Sequence, residues 1–278
     1  MLNMISNNLN CIMKNALDQI SIILREELKF DEKVDSWPLM KTPWPIFSIL
    51  LIYALIVLKI GPKLMENRKP FNLKSVMVAY NLLQALYNCY LISGVFTVPK
   101  VIPHIVYYSC HPVISENYEL ITQKFYLFTW HFIITKIFDL SDTVFFVLRK
   151  KQSHISFLHV YHHMNMVITS WIFLRYIKAH NGIFCGLLNS FVHVVMYSYY
   201  FLAALGPLIQ KYLWWKIYIT RLQIIQFIIG LLYMAYLVIN NCTFPKIFSF
   251  YMTVDVLLFL YLFLKFYKKT YSEKTKDQ

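Results

Sequence analysis

Seven long apolar segments limit how this chain can fold more than any other feature. An α-helix rises about 1.5 Å per residue, so about 20 apolar residues cross the roughly 30 Å of hydrocarbon in a bilayer. In chain order, the segments are Trp44–Ile60, Leu73–Phe96, Ile121–Leu148, Phe157–Ile177, Gly182–Leu205, Leu213–Ile239 and Ile247–Phe266. Because 58% of the residues are hydrophobic and only 15% are charged, a soluble α/β enzyme and a disordered chain are both excluded.

Helices are the secondary structure that fits these segments. Hydrocarbon offers no hydrogen-bond partners, so the backbone must pair within the protein. The segments are also too long and too evenly apolar for the alternating ten-residue strands of a membrane barrel. The sequence therefore predicts an all-α integral membrane protein with seven transmembrane helices. Its parts would be an N-terminal lumenal tail (1–43), a membrane domain (44–267) and a basic cytosolic tail (268–278).

The basic residues indicate how the chain crosses the membrane. Fifteen Lys and Arg lie near one set of segment ends, and five lie near the opposite set. Since positive residues favour the cytosolic side, the C-terminus is predicted in the cytosol and the N-terminus in the lumen. The formal charge of +13 is spread over these flanks without a basic stripe or recognition fold, so no nucleic-acid partner is expected.

Two pairs of residues carry predictions about the compartment. Lys274 and Lys276 near the carboxyl end resemble the dilysine signal that returns proteins to the endoplasmic reticulum membrane. Cys110 and Cys242 fall in lumenal loops, where oxidation is permitted, and we predict a disulfide between them. The cysteines show no CxxC or Cys/His finger spacing, so no zinc site is expected.

Strongly polar residues recur inside four of the apolar segments. A charged group at the centre of a membrane helix costs about 2.5 to 3.5 kcal/mol, so such residues point to function. Spacings of three, four and seven residues place each set on one helix face, toward the cytosolic half of the membrane. The residues are Lys136, Asp139, Asp142, His159, His162, His163, Asn189, His193, Gln223 and Gln226. Four helices are therefore predicted to share one polar chamber, with a purely structural ion-pair cluster as the alternative for the third segment.

His159, His162 and His163 form an HxxHH motif that suits two kinds of chemistry. Imidazoles three or four residues apart can share a metal ion, but no second histidine box of the kind used by membrane desaturases is present in the sequence. A neutral imidazole is also a good acyl acceptor, and adjacent histidines supply a base. Metal-free covalent catalysis is favoured. A metal-dependent lipid oxidase or desaturase and a non-enzymatic seven-helix receptor or carrier remain as alternatives.

Seven strings of residues, spread through almost the whole membrane portion, carry a family resemblance. They are GPKLMENRKPFNLK (Gly61–Lys74), YNLLQ (Tyr80–Gln84), KIFDLSDT (Lys136–Thr143), FLHVYHH (Phe157–His163), NSFVHVVMYSYY (Asn189–Tyr200), KYLWWKIYIT (Lys211–Thr220) and QIIQF (Gln223–Phe227). Together they resemble the very-long-chain fatty acid elongases, the integral 3-oxoacyl-CoA synthases of the endoplasmic reticulum. The family pattern KxxExxDT has Glu where this chain has Asp139, which is one methylene shorter.

The resemblance implies both an architecture and a reaction. Six of the seven helices would enclose a narrow acyl tunnel that opens to the cytosol and is closed toward the lumen. A long-chain acyl-CoA and malonyl-CoA would condense to a 3-oxoacyl-CoA two carbons longer, releasing CO2 and CoA. Decarboxylation supplies the carbanion, so no cofactor is expected. The partners would be acyl-CoA, malonyl-CoA, membrane lipid and the reductases and dehydratase of the elongation cycle, and a homodimer stays open.

The resemblance also implies a division of labour among the histidines. In the acyl-enzyme form of the mechanism, His162 attacks the thioester and becomes an acyl-imidazole. His193 would contact the thioester region. His159 and His163 would orient these groups or move protons.

The other polar residues receive supporting roles. Three amides suit hydrogen bonding to developing oxyanions, and they are Asn189, Gln223 and Gln226. Three residues are expected to fix the third segment against the histidine box, and they are Lys136, Asp139 and Asp142. Five cations at the cytosolic mouth can meet the phosphates of CoA, and they are Arg149, Lys150, Lys151, Lys211 and Lys216.

Overall fold

A computed structural model describes residues 31–108, 110–111, 118–242 and 244–272, and this part of the chain contains helices and turns but no strand. The principal helices are α1 (Trp44–Leu55), α2 (Lys74–Phe96), α3 (Tyr118–Asp139), α4 (Ser141–Leu148), α5 (Phe157–Ile172), α6 (Gly182–Leu205), α7 (Lys216–Ile239) and α8 (Lys246–Tyr267). Short helices lie at Glu32–Asp35, Gly61–Met65, Val101–Val106 and Pro207–Gln210. Turns of π-helix at Ile56–Ile60, Phe173–Ile177 and Lys268–Ser272 extend α1, α5 and α8.

Four helices of the described part are long and apolar enough to cross a membrane by length and composition. They are Trp44–Met65, Gly182–Leu205, Lys216–Ile239 and Lys246–Tyr271. The other three predicted spans correspond to α2, to α3 with α4, and to α5. These helices hold buried polar side chains such as Asn88, Lys136 and His163, which lower their mean hydropathy. For these three, crossing the membrane stays a prediction.

Helix boundaries differ from the sequence-based ones at two informative places. The first helix begins at Trp44, as predicted, but continues through a π turn to Met65 instead of ending at Ile60. The third predicted segment is interrupted at Leu140, whose backbone N–H donates to the carbonyl of Ile137 at 3.3 Å. This tight turn separates α3 from α4, and nothing in the apolar pattern marks it.

Six helices contact one another in a closed order. α2 packs along α6, α6 on α7, α7 on α8, α8 on α5, α5 on α3, and α3 on α2. α1 lies outside this ring. Its Ile46, Leu50 and Tyr53 belong to the same buried cluster as Val167 and Trp171 of α5.

The ring encloses a cavity of about 170 Å³, and each of its six helices contributes lining residues. The lining is mostly apolar, with Phe128, Phe227 and Met234 among its members. It extends from His162, near the start of α5, to Phe248, near the start of the antiparallel helix α8. The bundle therefore surrounds an elongated apolar space with a histidine at one end.

The outer surface of the bundle is apolar as well. Leu51, Leu83, Leu232 and Phe250 are 61%, 65%, 67% and 74% exposed. A continuous apolar surface of this kind is unfavourable in water and indicates contact with lipid. Apolar groups on the outside and buried polar groups within are the distribution expected of a membrane protein.

Part of the predicted N-terminal tail packs against the bundle. The indole N–H groups of Trp130 and Trp171 donate to the backbone carbonyls of Pro38 and Leu39, at 3.0 and 2.8 Å. Asp35 forms an ion pair with Arg175. Residues 31–41 therefore contact the middle of α3 and the C-terminal end of α5, away from the histidine box.

A disulfide ties the same end of the molecule. The predicted pair, Cys110 and Cys242, is bonded and joins the turn after Val101–Val106 to the loop between α7 and α8. The predicted retrieval signal of Lys274 and Lys276 lies outside the described residues.

The close approach of α2 and α3 gives a test of the packing. A Cβ added at Gly94 would overlap the ring of Phe128, whereas a Cβ at Gly230 of α7 would meet no atom within 4 Å. We expect Gly94→Ala to lower the free energy of unfolding by about 1–3 kcal/mol through overpacking. Gly230→Ala should leave it unchanged or raise it by up to about 1 kcal/mol, because Ala favours helix. Thermal unfolding in detergent measures both, and equal stabilities would contradict the packing.

Candidate active site

The histidine box lies on the first turns of α5. Ser156 caps this helix, and its side chain accepts a hydrogen bond from the backbone N–H of His159 at 3.2 Å. The ring centroids of His159 and His163 are 4.3 Å apart, and those of His162 and His163 are 5.5 Å apart. The cap fixes where α5 begins. The spacing of three and four residues along the helix then brings the three imidazoles together.

One histidine of the box is held by two neighbouring helices. Nε2 of His159 lies 3.0 Å from Oγ1 of Thr143 on α4. Oγ1 of Thr143 lies 2.7 Å from the hydroxyl of Tyr53 on α1. Thr143 is fully buried. This chain of contacts fixes His159 and links the helix outside the ring to the box.

A buried ion pair occupies the inner face of α3. Nζ of Lys136 donates to Oδ2 of Asp139 at 3.0 Å, and each residue is only 1% exposed. Lys136 Nζ also lies 3.2 Å from Nδ1 of His193 on α6, which is itself 3.4 Å from Oδ2 of Asp139. Buried charges are stable only where close partners compensate for lost hydration. Here the three side chains compensate one another.

The second oxygen of Asp139 is bound by two further helices. Oδ1 accepts hydrogen bonds from Nε2 of Gln84 on α2 and, at 2.9 Å, from the hydroxyl of Tyr197 on α6. The same hydroxyl lies 2.8 Å from Oδ2 of Asp142. A phenol carries one O–H, so both Tyr197 contacts are hydrogen bonds only if one carboxyl group also carries a proton. The hydroxyl of Tyr197 therefore lies between the two carboxyl groups, within hydrogen-bond distance of both.

A small polar cavity of about 20 Å³ lies between the box and helices α6 and α7. It is lined by His162, Asn189, Val192, His193, Gln223, Gln226, Phe227 and Phe263. His162, Asn189 and Gln226 also line the long apolar cavity. These three residues thus lie where the polar and apolar spaces meet.

Comparison with known proteins identifies the family. Residues 38–278 match the ELO family, described as the GNS1/SUR4 family. The chain belongs to this family. It is 38% identical to very long chain fatty acid elongase 4 of Homo sapiens over 272 residues, which are 95% of this chain and 85% of that protein. It is 40% identical to elongase 7 of Rattus norvegicus over 250 residues, 87% and 86% of the two chains.

A third relative, very long chain fatty acid elongase 4 of Mus musculus, is 40% identical over 248 residues, 89% of this chain and 78% of that protein. The family resemblance read from the sequence motifs is therefore confirmed. These relatives support a role for this membrane protein in fatty acid elongation.

Most of the polar residues singled out in the sequence converge in the structure. His162, His193, Asn189, Gln223 and Gln226 line one small cavity. The residues of the third segment contact different helices from the one that the sequence predicts. Lys136 and Asp139 contact α6 and α2, and the direct hydrogen bond to the box comes from Thr143. The ion pair therefore positions His193 and Tyr197 rather than the box itself.

Three of the five cations predicted to meet CoA lie near His154. Burial, and after it the charges of Lys216, Lys151 and Arg149, lower the pKa of His154 in the turn before α5. Phosphate groups favour such a concentration of positive charge.

The other two predicted cations have different surroundings. Nζ of Lys150 donates to the backbone carbonyls of Glu66 and Arg68, both at 3.0 Å. Nζ of Lys211 lies 4.9 Å from the ring centroid of Tyr212. Lys150 therefore holds a loop, which leaves Arg149, Lys151 and Lys216 as the stronger candidates for binding phosphate.

Three residues of the site were not assigned to it from the sequence. Tyr197 lies four residues after His193 on the same helix face, but this spacing gives its hydroxyl no particular role. Gln84 ends the YNLLQ string, which gave a family match but no role. Tyr53 is a single tyrosine in an apolar helix, and no sequence signal distinguishes it.

No group of three or more His, Cys, Asp or Glu side chains among the described residues is arranged to hold a metal ion. His159, His162 and His163 are close in space, but His159 is engaged with Thr143 and the ring of His162 faces α8. A direct metal analysis is therefore the measurement that decides on the oxidase alternative.

The bridging hydroxyl of Tyr197 can be tested by its removal. Tyr197→Phe takes a partner from both Asp139 and Asp142, and we expect it to lower the free energy of unfolding by about 1–3 kcal/mol. Tyr199→Phe is the matched control. Tyr199 packs against Trp215 with ring centroids 5.0 Å apart, and its change should stay within about 0.5 kcal/mol. Thermal unfolding gives both values, and equal effects would refute the bridge.

Proposed function

We propose that this protein condenses a long-chain acyl-CoA with malonyl-CoA, giving a 3-oxoacyl-CoA two carbons longer, CO2 and CoA. The observation that carries the proposal is the position of His162. It lines both the elongated apolar cavity and the small polar one. An acyl chain in the apolar cavity would bring its thioester to this histidine, with the CoA portion on the polar side.

The first half of the reaction transfers the acyl group to the protein. A ring nitrogen of His162 attacks the thioester carbonyl, the carbon–sulfur bond breaks, and CoA leaves as a thiol after taking up a proton. Amide groups stabilise the developing oxyanion where their N–H groups reach it. Asn189 and Gln226 line the cavity junction beside His162 and suit this task.

The second half forms the new carbon–carbon bond. Malonyl-CoA loses CO2, and the electron pair of the broken bond becomes an enolate. The enolate attacks the acyl carbonyl, and the bond between that carbon and His162 breaks. The released ring nitrogen takes up a proton from solvent, which regenerates the neutral imidazole, and the product is the 3-oxoacyl-CoA. The carbanion comes from decarboxylation, so the proposal requires no redox cofactor.

His193 and its neighbours would hold the thioester in place. The buried pair of Lys136 and Asp139 fixes the ring of His193, which faces the same small cavity as His162. A positioned imidazole can donate to a carbonyl oxygen or transfer a proton. His159 and His163 would complete the set, His159 through Thr143 and His163 through its ring contacts with both other histidines.

The apolar cavity would serve as the acyl tunnel. Its lining by Phe128, Phe227 and Phe248 suits a hydrocarbon chain, and the docked residues 31–41 and the disulfide lie toward its far end. In this proposal all seven predicted helices cross the membrane of the endoplasmic reticulum. The tunnel opens toward the cytosol, the N-terminus is lumenal, and the product passes to the reductases and dehydratase of the elongation cycle.

The decisive experiment is release of labelled CO2 from malonyl-CoA by the purified protein. Saturated and polyunsaturated acyl-CoA primers of about C16 to C24 would be compared. We expect release that depends on the primer and falls by at least about a hundredfold in His162→Ala. His111→Ala changes an exposed histidine at the opposite end of the bundle and should keep the wild-type rate.

A covalent adduct adds a second readout to this experiment. Without malonyl-CoA, mass spectrometry should find the acyl group on the peptide that contains His162. Absence of CO2 release from folded wild-type protein with every primer would refute the proposal. Iron with oxygen-dependent turnover would favour the oxidase, and ligand-stimulated signalling would favour the receptor.

The cations near His154 predict an effect on substrate affinity. Lys216→Glu should raise the KM for acyl-CoA several-fold without changing kcat, because it repels the phosphates and not the reacting carbonyl. The effect should shrink at high ionic strength. Lys59→Glu reverses an exposed lysine at the same predicted side of the membrane and serves as the control. An unchanged KM in Lys216→Glu would argue against this mouth as the CoA site.

A further inference from the structure

A second polar cluster lies at the interface between α5 and α8, apart from the ion pair, and reaches from the buried Asp255 to the partly exposed Tyr251. Asp255 of α8 is 6% exposed, and both of its oxygens accept hydrogen bonds from α5. Oδ1 accepts from the hydroxyl of Tyr161 at 2.9 Å, and Oδ2 accepts from Nδ2 of Asn165 at 2.8 Å. Oδ1 of Asn165 in turn accepts from the hydroxyl of Tyr251 at 2.9 Å. The donors and acceptors of these four residues are thus matched across two helices.

This cluster lies where the ring of helices is least tightly packed. The backbones of α5 and α8 come close to each other at fewer places than those of the other neighbouring helices in the ring. Side chains must therefore carry much of the contact. Thr169 and Tyr251, whose hydroxyls are 2.7 Å apart, continue the same line of hydrogen bonds along the interface.

The cluster has a direct geometric relation to His162. Tyr161 precedes His162, and Asn165 follows it by three residues, so Asp255 binds α5 on both sides of the histidine. One turn along α8, Phe259 packs its ring 5.1 Å from the ring of His162. α8 therefore sets the rotation of α5 about its axis and also packs against the imidazole of His162.

We propose that Asp255 is a positioning residue that fixes the rotation of α5 against α8 and thereby aims His162 at the substrate carbonyl. This role rests on the proposed function, in which His162 is the nucleophile. Asp255 lines the apolar cavity, so the clamp lies next to the path of the acyl chain.

A carboxylate is chemically suited to this position. It offers two acceptor oxygens and no donor, which matches the two donors that α5 presents. An asparagine at 255 would offer one acceptor oxygen instead of two, so the two donors of α5 could no longer both bind it. An apolar residue would leave Tyr161 and Asn165 without an acceptor. A carboxylate among membrane helices is unfavourable unless it is paired. Its presence at this position therefore indicates that the geometry of its hydrogen bonds matters.

The experiment combines a mismatch with its reversal. In Asp255→Asn residue 255 keeps one acceptor oxygen for the two donors of α5, and we expect kcat to fall by about tenfold or more, since small displacements of reacting groups cost this much. The KM for acyl-CoA should stay within about twofold of the wild-type value, because Asp255 does not bond to the cations proposed to bind CoA. The double variant Asp255→Asn with Asn165→Asp restores every donor and acceptor with the roles exchanged. Its kcat should return to within about threefold of wild type.

Two further variants complete the design. Tyr161→Phe removes one hydrogen bond and should give a smaller loss of kcat, which keeps the test informative if Asp255→Asn fails to fold. Tyr261→Phe alters an exposed tyrosine of α8 and should match wild type. The rate of acyl-adduct formation on His162 should follow kcat across the series.

The outcomes separate the two proposals. Wild-type kcat in Asp255→Asn, or no recovery in a double variant with wild-type thermal stability, would overturn the positioning role while the condensation reaction stands. An equal loss through KM instead of kcat would overturn it as well. A wild-type protein that neither releases CO2 nor forms the adduct would overturn the proposed function and the positioning role with it.

Discussion

The rest of the site depends on one buried charge pair, Lys136 with Asp139. An ion pair with almost no exposure is tolerated only where further polar groups surround it, because each charge has lost its water. Those groups come from two neighbouring helices, Gln84 from α2 and both His193 and Tyr197 from α6. The need to satisfy the pair therefore brings α2, α3 and α6 together at one depth. The proposed reactive centre lies next to this ion pair.

The bundle has an apolar outer surface as well as a mostly apolar interior. Its outside is apolar because lipid surrounds it, and packing between helices gains little from hydrophobic burial under those conditions. Polar contacts such as Tyr53 with Thr143 and Asp255 with Tyr161 can then specify which helices meet. The apolar cavity is an open space within a mostly apolar interior. In the proposed function it holds the substrate's hydrocarbon chain, so an empty apolar space within the ring has a chemical purpose.

The sequence predicted the helical class, the polar faces of four helices and the convergence of the histidines, because these follow from apolar length and from three- and four-residue spacing. It did not predict the break at Leu140, since apolar residues flank it on both sides and its cause is a local tightening of the backbone. It also missed Tyr53 and the hydrogen-bonding role of Tyr197. A hydroxyl gains a role only when another helix supplies the partner, and single-chain spacing contains no information about that pairing.

Two carboxylates, Asp139 and Asp255, act on the same reactive region from opposite helices. Asp139 orients His193 on one side of the small cavity, both directly and through Lys136, and Asp255 holds the helix of His162 on the other. Neither carboxylate lines that cavity. A carboxylate beside a neutral imidazole nucleophile would repel the enolate that must approach that imidazole. The two acids are therefore better placed outside the small cavity. The geometry therefore separates the charges that build the site from the neutral groups that would react within it.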